Sequence, residues 1–284
     1  MSEFILYDFD TEFSQYLQQW YEKNFGRFRT YDEMEDYVPE VYQTFLDTPA
    51  AFLNGQKPGA FFDGYDDPVL LTDWLAEYVH QDVNVPDMLL NRISELGESA
   101  APSLVEMLQD ETQPAELRMH LISLLREIDS ALPYPLFIRW ITAWDGQEEL
   151  TENAVETLES IETPSPDTTR RIREAYTSAT PSGKTAFLSI LSRWKGQSDM
   201  ADQAIRLFEQ YPDLRIHLAP IMARFGKVSA LPALKKAALS KETGYLLYIE
   251  VRSAIEALGG DAPKRKFSEG DPEYDSMRLL QDDL

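Results

Sequence analysis

The sequence predicts an all-α fold, a solenoid of stacked helical hairpins, from three observations. An apolar stripe with helical spacing recurs with a period of about 32 residues. The opposite side of each predicted helix is mostly polar, and glycine or proline residues fall at the joints between helices. The alternating β-branched pattern of strands is not evident. With 284 residues, the chain is long enough for one or two domains with a sizeable core.

Residues 1–67 do not follow the period, and they hold 17 of the 33 aromatic residues. A first helix carries a stripe of Phe13, Tyr16, Leu17, Trp20 and Tyr21. Asp32 and Glu35 have the spacing of a capping box for a second helix, which restarts at Pro39, and residues 58–67 read as an irregular loop. Terminal repeats of solenoids shield the last apolar face, so this region is predicted to be a helical cap. An acidic aromatic pocket for a cationic or sugar ligand is the alternative.

The repeated helices are defined by the apolar residues that close them. These residues are Leu96, Ile128, Ile161, Trp194, Phe225 and Leu258. The positions three and seven residues before each of them are also apolar, which places three side chains on one helix face. A second apolar set follows about ten residues later, so each unit is a helical hairpin that must bury its apolar face against its neighbours.

The joints between the predicted helices fit this interpretation. Glycines follow four of the first-helix ends, where a left-handed conformation is common, at Gly97, Gly196, Gly226 and Gly259. Prolines fall near the starts of three second helices, at Pro102, Pro135 and Pro232. The segment TPSPD at 163–167 breaks the chain between hairpins, and either Ser165 or Asp167 is predicted to cap the following helix.

Three segments of the predicted repeats resemble a known repeat family. The segment AAPSLVEML at 100–108 looks like the first helix of a HEAT repeat, and ALPAL at 230–234 echoes it. VRSAIEALG at 251–259 resembles the second helix of the short bacterial type of HEAT repeat. The resemblance covers about residues 68–260 and implies a right-handed α-α superhelix. The whole chain also looks similar to uncharacterised bacterial HEAT-like proteins. The expected organisation is thus a cap at 1–67, HEAT-like repeats at 68–260 and a tail at 261–284.

The tail has mixed charge and four apolar residues that would dock it on the last repeat. These are Phe267, Tyr274, Leu279 and Leu280. A frayed terminus is the open alternative.

Charge is unevenly distributed along the chain, whose 26 basic and 49 acidic residues give a net charge of −23. Residues 1–67 carry −10, residues 68–162 carry −15, and residues 163–260 carry +5. The total argues against a general nucleic-acid binder, because such proteins neutralise phosphates with lysine and arginine. The asymmetry reflects either solubility alone or a steering surface for a basic protein partner, with head-to-tail self-association as a lesser alternative.

The sequence contains no motif that identifies a reaction. Cysteine is absent, and Gly183-Lys184-Thr185 lacks the first glycine of a phosphate-binding loop. His80, His120 and His217 are far apart in the sequence and form no H-E-x-x-H motif or His-Glu pairs like those of deoxyhypusine-hydroxylase-like HEAT enzymes. We therefore expect a non-enzymatic protein without metal or cofactor. A HEAT-fold enzyme or nucleic-acid repair factor is one alternative, and a small-molecule carrier or lyase-like HEAT protein is another.

The expected function is a protein-protein interaction scaffold or adaptor. The helices that end at Leu96 through Leu258 would line the concave side, as second helices do in the HEAT family that the chain resembles. Their polar positions would form the groove, with Glu95, Arg126, Glu127, Glu159, Arg193, Arg224 and Glu256 as candidate binding residues. The N-terminus lacks a basic signal region, and no apolar run approaches the ~18–20 residues of a membrane span, so a cytoplasmic protein is expected.

Overall fold

The computed structural model describes residues 5–28, 30–146, 148–267 and 274. Within these residues the regular structure is helical and no strand occurs, which confirms the all-α prediction. Contacts divide the chain into two compact units, unit 1 at Met1–Pro133 and unit 2 at Tyr134–Leu284. The predicted boundaries after residues 67 and 260 stay predictions.

Unit 1 contains seven α-helices in its described part, separated by short turns and 3₁₀ segments. They are α1 Phe9–Asn24, α2 Tyr31–Glu35, α3 Val38–Asp47, α4 Pro68–His80, α5 Asp87–Glu95, α6 Ala101–Leu108 and α7 Ala115–Glu127. Helix α1 packs on α3, whereas α4 packs on α5, α6 and α7. Helices α5 and α7 also lie side by side.

Aromatic side chains fill the space between the first segment of unit 1 and α4. Phe62 is 1% exposed, and its ring packs edge-on against those of Phe61 and Trp74 at centroid distances of 4.9 and 5.2 Å. The fully buried Tyr78 donates its hydroxyl to the backbone oxygen of Tyr7 over 3.1 Å. The desolvation of this phenol raises its pKa to about 12. These rings form part of the interior of unit 1. A separate cleft of about 500 Å³ in the same N-terminal region is lined by Tyr21, Glu22, Phe25, Met34 and Glu35. The alternative of an acidic aromatic pocket stays a prediction.

The caps of unit 1 differ in one place from the sequence prediction. The predicted capping box of Asp32 and Glu35 is wrong, because both residues lie inside α2. Thr30 is the cap instead, and its hydroxyl accepts the amide of Glu33 over 3.2 Å. The predicted loop at 58–67 ends at Asp67, whose carboxylate accepts the amide of Val69 and so begins α4.

Unit 2 contains eight α-helices in its described part. They are α8 Tyr134–Ala143, α9 Glu149–Glu159, α10 Pro166–Tyr176, α11 Pro181–Arg193, α12 Ala201–Gln210, α13 Arg215–Phe225, α14 Leu231–Leu239 and α15 Tyr245–Ala257. Helices α9, α11, α13 and α15 pack side by side in that order. Helix α8 packs on α10 and α12 on α14. Sequential helices such as α8 and α9 or α14 and α15 pack as hairpins.

The predicted apolar stripes form the core of these helices. All twelve positions located three and seven residues before the closing residues are buried, from Leu89 and Ile93 in α5 to Val251 and Ile255 in α15. The joints also agree with the sequence, since the glycines at 97, 196, 226 and 259 have positive φ angles. Of the two candidate caps of α10, Ser165 is the one that accepts the amide of Thr168, over 3.0 Å.

Gly183 has a packing role in the first turn of α11. A β-carbon at this position would lie 2.1 Å from the backbone oxygen of Ile141 near the end of α8. Beside it, the Thr180 amide donates to the Thr142 oxygen over 3.1 Å, so the start of α11 satisfies carbonyl groups at the end of α8. The Gly-Lys-Thr triplet therefore belongs to a helix start that packs directly on a neighbouring helix.

The chain after α15 contacts the last hairpin. Tyr248 donates its hydroxyl to the Pro263 oxygen over 2.9 Å, and the Phe267 ring lies 5.1 Å from those of Tyr245 and Tyr248. The predicted docking residues Leu279 and Leu280 lie outside the described residues. Among the helices that the structure describes, none has the length and apolar character needed to cross a bilayer.

Candidate functional site

The structure brings three of the seven predicted groove residues together. Glu159, Arg193 and Arg224 meet in unit 2 at the ends of α9, α11 and α13. The other four lie elsewhere. Glu95 pairs with Arg92 in unit 1, and Glu256 pairs with Arg252 on α15. Arg126 and Glu127 are exposed at the end of α7.

The ion pair at the centre of the site joins two neighbouring helices. The Arg193 guanidinium lies 3.1 Å from a Glu159 carboxylate oxygen. Only 18% of the Glu159 side chain is exposed, compared with 48% of the Arg193 side chain. The carboxylate is therefore an internal anchor, and the guanidinium keeps donors that face solvent.

Two serines of α11 extend this ion pair into a network. Ser189 donates its hydroxyl to the other carboxylate oxygen of Glu159 and accepts Arg224 Nη2 over 3.0 Å. Arg224 Nε donates to the Ser192 hydroxyl over 2.8 Å. Ser192 in turn donates to the Ser189 backbone oxygen over 2.7 Å. The hydrogen bonds hold Arg224 in one orientation along α11.

The network contains two positive charges and one negative charge. Desolvation by the surrounding residues lowers the pKa of Arg224, the positive charge of Arg193 lowers it further, and Glu159 opposes the shift. An arginine keeps its proton in proteins despite such shifts. The network thus carries one more positive than negative charge, whereas Asp145, Glu152 and Glu250 add carboxylates to the cleft beside it. The arginines remain donors that can bind an acceptor group of a partner.

A cleft of about 680 Å³ opens beside the network. Its apolar wall includes Trp144, Val155, Ile216, Pro220 and Ile221. Glu152, His217 and Glu250 supply polar groups at the same cleft. Such a combination of an apolar wall with arginine and carboxylate groups is suited to holding an apolar side chain next to a polar or charged one.

The serines of this network are absent from the candidates predicted from sequence, although the sequence carries a signal for them. The hydrogen bonds from Ser189 to Glu159, from Arg224 to Ser192 and from Arg224 to Ser189 span 30, 32 and 35 residues. These separations match the repeat period. Polar residues about one period apart on successive helices are therefore the pattern in the sequence that indicates the network.

The histidines and the acidic side chains considered as metal ligands do not form a comparable site among the described residues. His80 hydrogen-bonds Gln113 over 3.0 Å, and only His217 of the three histidines lines the cleft. Within the stretches 5–28, 30–146 and 148–267, no three histidine, aspartate or glutamate side chains are grouped as metal ligands.

Comparison of the chain with protein-family models, with curated proteins and with solved structures finds no match.

Proposed function

We propose that this chain is a non-enzymatic protein-interaction module built of HEAT-like repeats. In this proposal the cleft beside Glu159, Arg193 and Arg224 recognises a segment of a partner protein. The observation that carries the proposal is the hydrogen-bonded network, which fixes two arginines at the edge of a cleft with an apolar wall.

The repeat assignment is supported by contacts between equivalent positions of successive helices. Trp194 donates its indole N–H to the Ile161 oxygen over 3.1 Å, and these two residues close successive predicted repeats. In unit 1, Ser130 and Glu98 are joined over 3.1 Å at a separation of 32 residues. Contacts of this kind are expected where each hairpin packs on the next, as in the right-handed superhelix of HEAT-like solenoids.

A protein partner fits the composition of the cleft. Arginine and aromatic side chains are enriched at the centres of protein interfaces, where they contribute most of the binding energy. Arg224 is already oriented by two serines, so binding would cost little side-chain entropy there. The strongly acidic unit 1 would also attract basic surfaces of a partner by electrostatic steering.

The test is a pull-down from native cells with the wild-type chain and the variants Arg193→Glu and Arg224→Glu. Arg171→Glu is the matched control, because Arg171 is also ion-paired and its side chain is also 48% exposed. We expect the two cleft variants to lose the same partner, and the control to retain it. Partner binding should also weaken as salt is raised.

Equal capture by all four proteins would contradict the assignment of the cleft. A small molecule that co-purifies with the wild-type chain and is lost in both cleft variants would favour a carrier instead.

A further inference from the structure

Two further clefts lie along α10, one following most of the helix and the other at its C-terminal half. One, of about 940 Å³, is lined by residues of the α9–α10 connection, α10 and the end of α11. The other, of about 440 Å³, lies between α10, the start of α11 and α12. Arg173 and Thr177 line both. The two clefts therefore form one path along α10, which we call the α10 track.

The charges of the α10 track are mostly positive. Arg173, Lys184 and Arg206 line the second cleft, and no carboxylate side chain lines it. Arg173 is neutralised by Asp199, whereas Lys184 and Arg206 have no ion pair in the described part of the chain. Lys195, which lines the first cleft, is exposed and also has no ion pair among the described residues. Unneutralised cations thus stand near both ends of the track.

Lys184 and Arg206 both lie near Tyr176, which lines the second cleft with them. The Lys184 ammonium lies 5.9 Å from the centre of the Tyr176 ring. Burial raises the pKa of the Tyr176 hydroxyl, and the positive charge of Arg206 opposes that shift. Lys184 and Arg206 therefore both act on the half-buried side chain of Tyr176.

The other arginines of α10 behave differently. Arg170 is held by Asp167 and Glu174, and Arg171 is held by Asp167, all within the helix. Arg171 is not among the residues that line either cleft. Arg170 and Glu174 do line the first cleft, but as an ion pair. The unpaired positive charge of the track therefore comes from Lys184, Lys195 and Arg206, outside α10.

The length of the track sets the size of its ligand. Helix α10 has 11 residues, which corresponds to about 16 Å at 1.5 Å per residue. An extended chain covers that distance with about five residues at 3.3 Å each. We propose that the α10 track binds an extended acidic segment of a partner protein, with its carboxylates on Lys195, Lys184 and Arg206. This inference rests on the proposed function as a protein-interaction module.

A protein segment fits the track better than a nucleic acid does. A nucleic acid longer than the track carries its charge beyond the track, onto the surface of a chain with a net charge of −23. A short acidic segment engages only the local positive charge, because salt screens interactions beyond about 8 Å. Only the local charges of α10, α11 and α12 then decide binding.

The experiment uses the full chain and a fluorescein-labelled peptide with six consecutive glutamates, followed by fluorescence anisotropy at low and physiological salt. The variant Lys184→Glu/Arg206→Glu should bind the peptide at least tenfold more weakly than the wild type. The control Lys236→Glu/Lys241→Glu makes the same charge change at two exposed lysines and should stay within twofold. Circular dichroism confirms that each variant is folded.

Three results would overturn the proposal. They are equal weakening in both double variants, equal binding of a peptide with six glutamines, and tighter binding of a single-stranded DNA with six phosphates. Arg224→Glu separates this proposal from the previous one, because Arg224 does not line the α10 track. That variant should lose the cellular partner and keep its peptide affinity within twofold. If Arg224→Glu retained the cellular partner, the proposed function of the cleft would be refuted, and the peptide measurement would still test the α10 track.

Discussion

Unit 1 and unit 2 are both helical but are built from different chemistry. Unit 1 has 7 basic and 26 acidic residues, and unit 2 has 19 basic and 23 acidic residues. The first 67 residues of unit 1 pack around aromatic rings, whereas the helix ends of unit 2 are tied by arginine, glutamate and serine side chains. The N-terminal part of unit 1 therefore has an aromatic core in a strongly acidic unit, whereas unit 2 places arginine and lysine side chains at its clefts.

The largest expected effect tests the aromatic core of unit 1. Phe62→Ala removes a ring that is 1% exposed and contacts Phe61, Trp74 and Phe9. The free energy of unfolding should fall by about 4 kcal/mol, because the transfer energy is lost and a cavity remains. Chemical denaturation measures the loss, and hydrogen exchange should locate it in unit 1. An equal loss of amide protection in unit 2 would show that the two units do not respond independently.

The next effect tests the close approach of two helices in unit 2. Gly183→Ala places a β-carbon 2.1 Å from the Ile141 oxygen, so α11 must move away from α8. We expect a loss of about 3 kcal/mol in the free energy of unfolding, measured by chemical denaturation.

Gly64→Ala in unit 1 is the matched control, because its β-carbon would meet nothing within 4 Å. Its unfolding free energy should change by less than about 0.5 kcal/mol. Similar losses for both glycine variants would contradict the packing role of Gly183.

Most of the helical architecture could be predicted because burial follows a local rule. Ile93, Leu125 and Leu191 lie three residues before the apolar residue that closes each repeated helix, and a period of 3.6 places them on the core side of their helices. The glycines and Ser165 at the joints were predictable for the same reason, since caps depend on neighbouring residues.

The candidate site could be predicted only in part because it depends on distant residues. The sequence places Glu159, Arg193 and Arg224 at polar positions near helix ends, but it does not say that they share one network. Their pairing requires that α9, α11 and α13 lie side by side. The cap at Thr30 was missed for a local reason, since Asp32 and Glu35 offered a competing motif with the same spacing.

A smaller effect tests the contact between successive repeats in unit 2. Trp194→Phe removes the indole donor to the Ile161 oxygen, at a side chain that is 5% exposed. The free energy of unfolding should fall by about 1–2 kcal/mol, because a carbonyl loses its partner and the ring becomes smaller. Thermal unfolding measures the change. If the variant were as stable as the wild type, the hydrogen bond from Trp194 to Ile161 would not contribute to stability and would no longer support the repeat assignment.

The smallest expected effect concerns pH and lies in unit 1. Desolvation raises the pKa of the Asp73 carboxyl, and the charge of Asp67 raises it further. A raised pKa means that the folded state disfavours the ionised form, so this group costs stability as pH rises through its folded pKa. Asp73→Asn should therefore stabilise the chain at pH 7 by about 0.3 kcal/mol, reduced by solvent screening. Chemical denaturation of the wild type and the variant at pH 7 and at pH ~3 measures this difference in the free energy of unfolding. The stabilisation should vanish near pH ~3, and a stabilisation that persists there would contradict ionisation of Asp73 as its cause.

Site-specific photo-crosslinking tests the central claim, that the unit 2 cleft is an interaction site, most directly. A photoreactive residue would replace Glu152, which is exposed at the cleft, or Glu209, which is exposed on α12 and lines none of the three clefts. In native cells we predict one dominant crosslinked protein from position 152, lost when Arg224→Glu is added, and none of it from position 209. The same crosslinked species from both positions, or its persistence in the Arg224→Glu background, would contradict the account.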